Sequence, residues 1–156
     1  MRKPIGISAC LTGINCRYNG GNCKISNIYT LSDNLIPVCP EVAGGLPTPR
    51  IPAELCQPAS QVIQTKQGIK NQDGLDITAK FIIGAKASLK ELKTAGCESV
   101  ILKSGSPSCG VGNIYNGKFT GVLTEGNGIF AHMCIEDNIR VISSDDVDEI
   151  QKMMSK

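Results

Sequence analysis

The stretch Glu98–Gly110, ESVILKSGSPSCG, joins a short apolar run to a small, stiff turn. Val100, Ile101 and Leu102 read as a strand bounded by polar residues. The turn that follows packs three serines, two glycines, a proline and a cysteine into Ser104–Gly110. Just upstream, Phe81, Ala85, Leu89 and Leu92 share one helical face. Asp76 or Thr78 can cap the start of that helix, and Gly96 ends it. A helix leading directly into a strand is half of a parallel α/β unit, and the rest of the chain repeats the theme.

Ile5–Ala9 (IGISA) reads as a first strand, closed by Cys10 and a loop-like TGINCRYNGGNCK. Leu35–Val38 reads as a second strand, followed by Cys39 and then Pro40, which cannot continue a central strand. Between them Ile25–Ser32 suits a short helix. Gly44–Ser60 holds four prolines and two glycines, so it reads as a long loop of the functional kind. QVIQTKQGIKNQDG reads as a minor hairpin or extended excursion, ending at the Asp73-Gly74 turn signal. Asn116-Gly117 centres another hairpin. GIFAHMCIED reads as a helix from Gly128, IRVISS as a strand, and SDDVDEIQKMM as a closing helix with Ser144 at its N-cap and acidic residues in its first turn. The expectation is a single α/β domain over residues 1–156, with a mainly parallel central sheet flanked by helices and a small β-hairpin excursion.

Composition supports that class. The chain has 156 residues, 41% hydrophobic and 19% charged, which is ordinary for a globular protein. Its apolar runs are far shorter than a bilayer span, and no signal-peptide h-region follows the basic start MRKPIGISAC. A cytoplasmic location is therefore expected. A net charge of +2 without a basic run gives no electrostatic reason to expect a nucleic-acid polymer or a membrane as partner. A small anionic ligand remains compatible.

Eight cysteines are many for a reducing compartment, where disulfides are the weaker explanation. There is no CxxC, and His132 is the only histidine, so zinc-finger and thioredoxin patterns are absent. Cys10, Cys39 and Cys109 each follow a predicted strand at once or within a turn. If the strands are parallel, the three lie along the carboxyl edge of one sheet, where α/β proteins place ligands. Strands about 4.8 Å apart would let them converge on an object several ångströms across, such as a cubane iron-sulfur cluster. Spacing alone leaves structural cysteines as an equal alternative. Cys56, Cys97 and Cys134 read as small apolar residues. Cys16 is a better candidate for an active-site thiol than its loop neighbour Cys23, and His132 reads as a core or surface residue.

Three segments carry a family resemblance. SACLTGINCRYNGG, PVCPEVAGGLPTPR with the following PAE, and LKSGSPSCGVGNIYNGKFTG resemble the motifs of the thiouracil desulfidases (TudS-like proteins), in the family's order. The resemblance implies a Rossmann-like enzyme with a [4Fe-4S] cluster held by three cysteines, matching Cys10, Cys39 and Cys109. It also implies conversion of a thiolated pyrimidine, either thiouracil or a thiouridine nucleotide, to the oxo form with release of hydrogen sulfide and no net redox change. Glu41, two residues after Cys39, is the candidate general base, with a solvated loop carboxylate or a helix cap as the equal alternative. Ser106 and Ser108 are candidates to bond the pyrimidine or relay a proton. Arg17, Arg50 and Lys103 are candidates to hold a negative substrate group, where arginine has the geometric advantage. Asn19 stands where the family often carries Asp, and Cys23 and Cys56 fall outside the pattern. Two other classes compete: a non-catalytic module holding zinc or handling sulfur through the same cysteines, and a metal-free thiol enzyme using Cys16 or Cys109 as nucleophile.

Overall fold

The computed structural model describes residues 3–28 and 34–154. In chain order its elements are β1 (Ile5–Ser8), a 3-10 turn (Ala9–Thr12), β2 (Leu35–Val38), α1 (Pro40–Ala43), β3 (Ala53–Leu55), α2 (Ala59–Thr65), β4 (Ile69–Asn71), α3 (Thr78–Ala95), β5 (Ser99–Leu102), β6 (Asn113–Tyr115), β7 (Leu123–Glu125), α4 (Ile129–Glu136), β8 (Arg140–Ser143) and α5 (Val147–Met154). Four strands form one parallel sheet in the order β2-β1-β5-β8. The chain runs from β1 outward to β2, then returns past β1 to β5 and on to β8. The winding direction therefore reverses between β1 and β5, and such a reversal opens a crevice at the carboxyl ends of those strands.

Both faces of β5 are covered, as a central parallel strand requires. Val100 and Leu102 pack with Phe81 and Leu92 of α3 and Phe130 of α4. Ile101 points the other way, into a second cluster with Ile7, Leu11, Ile28, Ile142 and Ile150. Among the described residues no helix is long and apolar enough to cross a membrane.

The strand and helix expectations hold for β1, β2, β5, β8, α3 and α4. Asp76 caps α3: its Oδ1 accepts from the Thr78 amide at 2.9 Å and from the Thr78 hydroxyl at 2.6 Å. Four expectations need correction, and a fifth falls partly outside the described residues. The proline-rich segment is not loop throughout, because β3 lies within it and pairs antiparallel with β4. The expected extended excursion at Gln61 is helical: Pro58 sets the entry to α2 with a φ already suited to it, and Ala59 and Val62 are buried. The Asn116-Gly117 hairpin exists, but Tyr115 pairs with Leu123, so a wide loop replaces the tight turn. Ser144 does not cap α5; its Oγ accepts from the Ser104 amide at 2.9 Å, and Asp146 Oδ1 accepts from the Glu149 amide at 3.3 Å in its place. Of the helix expected at Ile25–Ser32, residues 29–32 lie outside the described residues, and residues 25–28 form a turn rather than an α-helix.

One close approach places the site. Gly44 ends α1 and Gly84 lies inside α3. A Cβ on Gly84 would collide with the Pro40 carbonyl oxygen, and one on Gly44 with the Lys80 carbonyl. The two helix backbones are in contact, and neither position has room for a side chain. Gly84→Ala is expected to lower stability by about 1–3 kcal/mol through overpacking, read as a lower urea midpoint at unchanged slope. A midpoint equal to the parent's would show that α1 does not need this contact.

Candidate active site at the sheet edge

Cys39, Cys10 and Cys109 follow β2, β1 and β5, which are neighbours in the sheet. Cys39 is the N-cap of α1, with Pro40 at the first helical position, where the missing N–H costs nothing. Cys10 sits in the 3-10 turn, and its carbonyl accepts from the Cys23 amide at 2.9 Å. That bond brings the following loop back over the strand end. Cys109 is held by the serine-rich turn. Ser106 Oγ accepts from the amides of Ser108 and Cys109, each at 3.1 Å, and the Ser106 carbonyl accepts from Gly110 at 2.8 Å. The first amides of α4 donate to Pro107 and Ser108 carbonyls at 2.9–3.1 Å, locking the turn to a helix. A Cβ on Gly110 would come within 2.8 Å of the Ser106 carbonyl, so only glycine lets the turn close.

These elements enclose a cavity of about 360 Å³ that opens on the crevice at the strand ends. Its inner wall carries the thiols of Cys10, Cys16, Cys39 and Cys109. Burial pushes the Cys109 thiol far up, partly opposed by a hydrogen bond with the Ser8 hydroxyl. A hydrogen bond with Cys16, reinforced by burial, pushes Cys39 up as well. Cys16 is raised first by its hydrogen bond with Cys10. Soft sulfur donors on three separate strand ends suit a polynuclear iron-sulfur group. Among the described residues no group of three or more His, Cys, Asp or Glu side chains is placed to hold a single metal ion.

Beside the thiols lies a buried ion pair. Arg50 Nη2 stands 3.6 Å from Glu41 Oε2, with the side chains only 7% and 16% exposed. Arg50 also donates to the Cys16 carbonyl at 2.9 Å and to the Pro47 carbonyl and Thr48 Oγ1 at 3.2 Å. Its Nε is buried and has no partner among the described residues. Burial raises the Glu41 carboxyl above its ordinary value, and Arg50 opposes that rise. Glu41 is thus neither solvated nor a simple cap. Arg17 and Lys103 are half-buried on the same wall. The Arg17 guanidinium lies 5.6 Å from the Tyr18 ring centre, and Lys103 Nζ donates to the Ser104 carbonyl at 2.8 Å.

The structure brings eight of the nine sequence-derived site residues to this cavity, and the ninth, Ser108, lies behind it. Ser108 is 1% exposed, and its hydroxyl has no partner among the described residues. Its neighbour Ser106 does face the cavity. Since Ser106 Oγ accepts two amide bonds, its own proton is free to turn toward a ligand. Ser8 and Glu54 were not foreseen. Ser8 is buried at the end of β1, and its Oγ accepts from the Lys103 amide at 2.9 Å. Glu54, on β3, accepts from the amides of Gly117 and Phe119 at 2.9 and 3.2 Å. It thereby draws the 116–122 loop over the cavity, where Tyr115 and Phe119 join Tyr18 as aromatic wall.

Comparison with known proteins agrees with this geometry. The family described as 2-thiouracil desulfurase matches residues 5–146. The uncharacterized protein YbbK of Bacillus subtilis (strain 168) is 39% identical over 147 residues, covering 92% of this chain and 97% of the relative. The solved structure of TudS, a [4Fe-4S]-dependent thiouracil desulfidase, superposes with a TM-score of 0.86 at 37% identity, covering 99% of each chain.

The outer wall yields a test. A hydrogen bond to a charged group contributes about 1.5–3 kcal/mol, so Glu54→Ala is expected to speed amide exchange at Gly117 and Phe119 roughly tenfold or more, with β5 amides unchanged. Equal exchange in both proteins would show that the loop stands without the carboxylate.

Proposed function

Because the chain belongs to the 2-thiouracil desulfurase family, we propose that it is a [4Fe-4S]-dependent desulfidase that replaces the sulfur of a thiolated uracil with oxygen and releases hydrogen sulfide. The observation that carries the reading is the meeting of Cys10, Cys39 and Cys109 from adjacent strand ends in one cavity beside a buried Glu41. These three thiols would hold the cluster. When bound, it supplies an iron with Lewis acidity and affinity for a thione sulfur.

The protein's own residues do the rest. Tyr18, Tyr115 and Phe119 bound a space suited to a flat ring. The Ser106 hydroxyl, with its proton free, bonds a ring carbonyl or nitrogen. Glu41, kept from bulk water and raised by burial, takes a proton from the water that attacks the carbon bearing sulfur. Arg50 holds that carboxyl in place through the 3.6 Å ion pair. The balance is one water consumed and one hydrogen sulfide released, with no electrons transferred. Arg50 is committed to the pair and to the main chain, so Arg17 and Lys103 are the cations left to meet a negative substituent such as a nucleotide phosphate. Ser108 acts from behind, by filling the turn that aims Cys109.

Protein reconstituted without oxygen is expected to bind about four irons and four sulfides per chain and to convert 2- or 4-thiouracil, or its nucleotide, to the oxo form with one sulfide released. Cys10→Ser, Cys39→Ser and Cys109→Ser should each lose the cluster. One zinc and no iron, or full activity in iron-free protein, would overturn the reading. Glu41→Gln is expected to keep its iron while kcat falls by about 10²–10⁴; an unchanged kcat would remove Glu41 as the base.

A further inference from the structure

One carboxylate in the cavity has no part in the chemistry above. Of the described residues that line it, only Glu41 and Glu54 carry a carboxyl group. Glu41 is paired with Arg50 beside the thiols, whereas Glu54 stands half-buried on β3, in the antiparallel β3-β4 pair outside the parallel sheet. Its two oxygens are used unequally. Oε1 accepts from both the Gly117 and the Phe119 amides, at 2.9 and 3.2 Å, while Oε2 has no hydrogen bond among the described residues. Two donors on one oxygen fix how the carboxyl group is turned. The loop that supplies them lies hard against β3, since a Cβ on Gly117 would collide with the Leu55 carbonyl. The second oxygen is therefore a held acceptor with nothing yet to accept.

Tyr18, Tyr115 and Phe119 give this cavity an aromatic wall suited to a flat ring. A thiouracil ring has an imide N–H between its two exocyclic positions, next to the carbon bearing sulfur whichever of the two that is. The same N–H is present in the free base and in its nucleotide. In a thiocytosine the corresponding ring nitrogen carries a lone pair instead. A carboxylate oxygen accepts and cannot donate, so it satisfies the first ring and opposes a lone pair to a lone pair in the second. We propose that Glu54 Oε2 accepts the imide N–H of the substrate and makes the site selective for thiouracils over thiocytosines; the proposal deepens the desulfidase reading above and rests on it. One carboxyl group then serves two partners, with Oε1 holding the 116–122 loop and Oε2 the ring. An ordered aromatic wall and a correctly paired base support each other.

The test sets the parent protein against Glu54→Gln, each reconstituted without oxygen and counted for iron. The substrates are 2-thiouracil, 2-thiocytosine and 2-thiouracil methylated at the imide nitrogen. In the variant the amide oxygen is drawn to the two loop N–H groups, which leaves the NH2 group, a donor, turned to the ring. Iron content and amide exchange at Gly117 and Phe119 are expected to match the parent. The parent should prefer 2-thiouracil over 2-thiocytosine by about a hundredfold or more in kcat/KM. In the variant that preference should shrink by about ten- to a hundredfold, through a raised KM for 2-thiouracil at nearly constant kcat. Methylation should cost the parent about tenfold more than it costs the variant. Equal losses for both bases in the variant, or an equal cost of methylation in both proteins, would overturn the proposal and leave Glu54 as an anchor of the loop alone. A parent that holds its cluster and releases no sulfide from any thiouracil would instead defeat the desulfidase reading itself.

Discussion

The contact between the backbones of α1 and α3 is the constraint on which the site depends. A helix of four residues has no stability of its own, because its nucleation cost is never recovered by propagation. Here α1 is held by its neighbour: Gly44 and Gly84 leave space for carbonyl oxygens of the opposite helix. The long helix is in turn fixed by Phe81 and Leu92 against the sheet. Cys39 at the start of α1 and Glu41 within it are therefore positioned by packing some distance from the cavity. The cavity inherits the rigidity of the core through two residues that lack side chains.

A second constraint is electrostatic. Thiols and a carboxyl are gathered in one cavity; burial pushes Cys109 and Glu41 toward their neutral forms, and a hydrogen bond with Cys16, reinforced by burial, does the same for Cys39. Burying one positive and several latent negative charges is costly unless they compensate each other. Arg50 meets part of that cost through Glu41, two main-chain carbonyls and Thr48, yet keeps one N–H unspent. The arrangement is poised for a partner that brings positive charge to the sulfurs.

Much of this was legible in the sequence because the relevant signals were local. Apolar runs ended by cysteine marked β1, β2 and β5, and the spacing of Phe81, Ala85, Leu89 and Leu92 marked α3. Where the reading failed, tertiary contacts overrode local preference. Asn116-Gly117 signals a tight turn, but Glu54 captures the amides of Gly117 and Phe119 and opens the loop. Ser144 has the chemistry of a helix cap but is engaged by the Ser104 amide. Helix α2 is too short for a periodic pattern, and prolines mask it. Ser106 and Ser108 are indistinguishable in sequence; only the turn geometry puts one hydroxyl on the cavity wall and the other behind it. Ser8 carried no signal at all, since its role depends on β5 lying beside β1.

The Glu54 contact has a wider consequence. The thiols stand on the parallel sheet, while much of the aromatic wall belongs to the 116–122 loop and its flanks, gripped from the separate β3-β4 pair. The two halves of the cavity are thus inherited from different parts of the chain. Substitutions in the outer half can reshape what is admitted without moving a single strand end. A scaffold divided in this way can drift between substrates of different size while its chemistry stays constant.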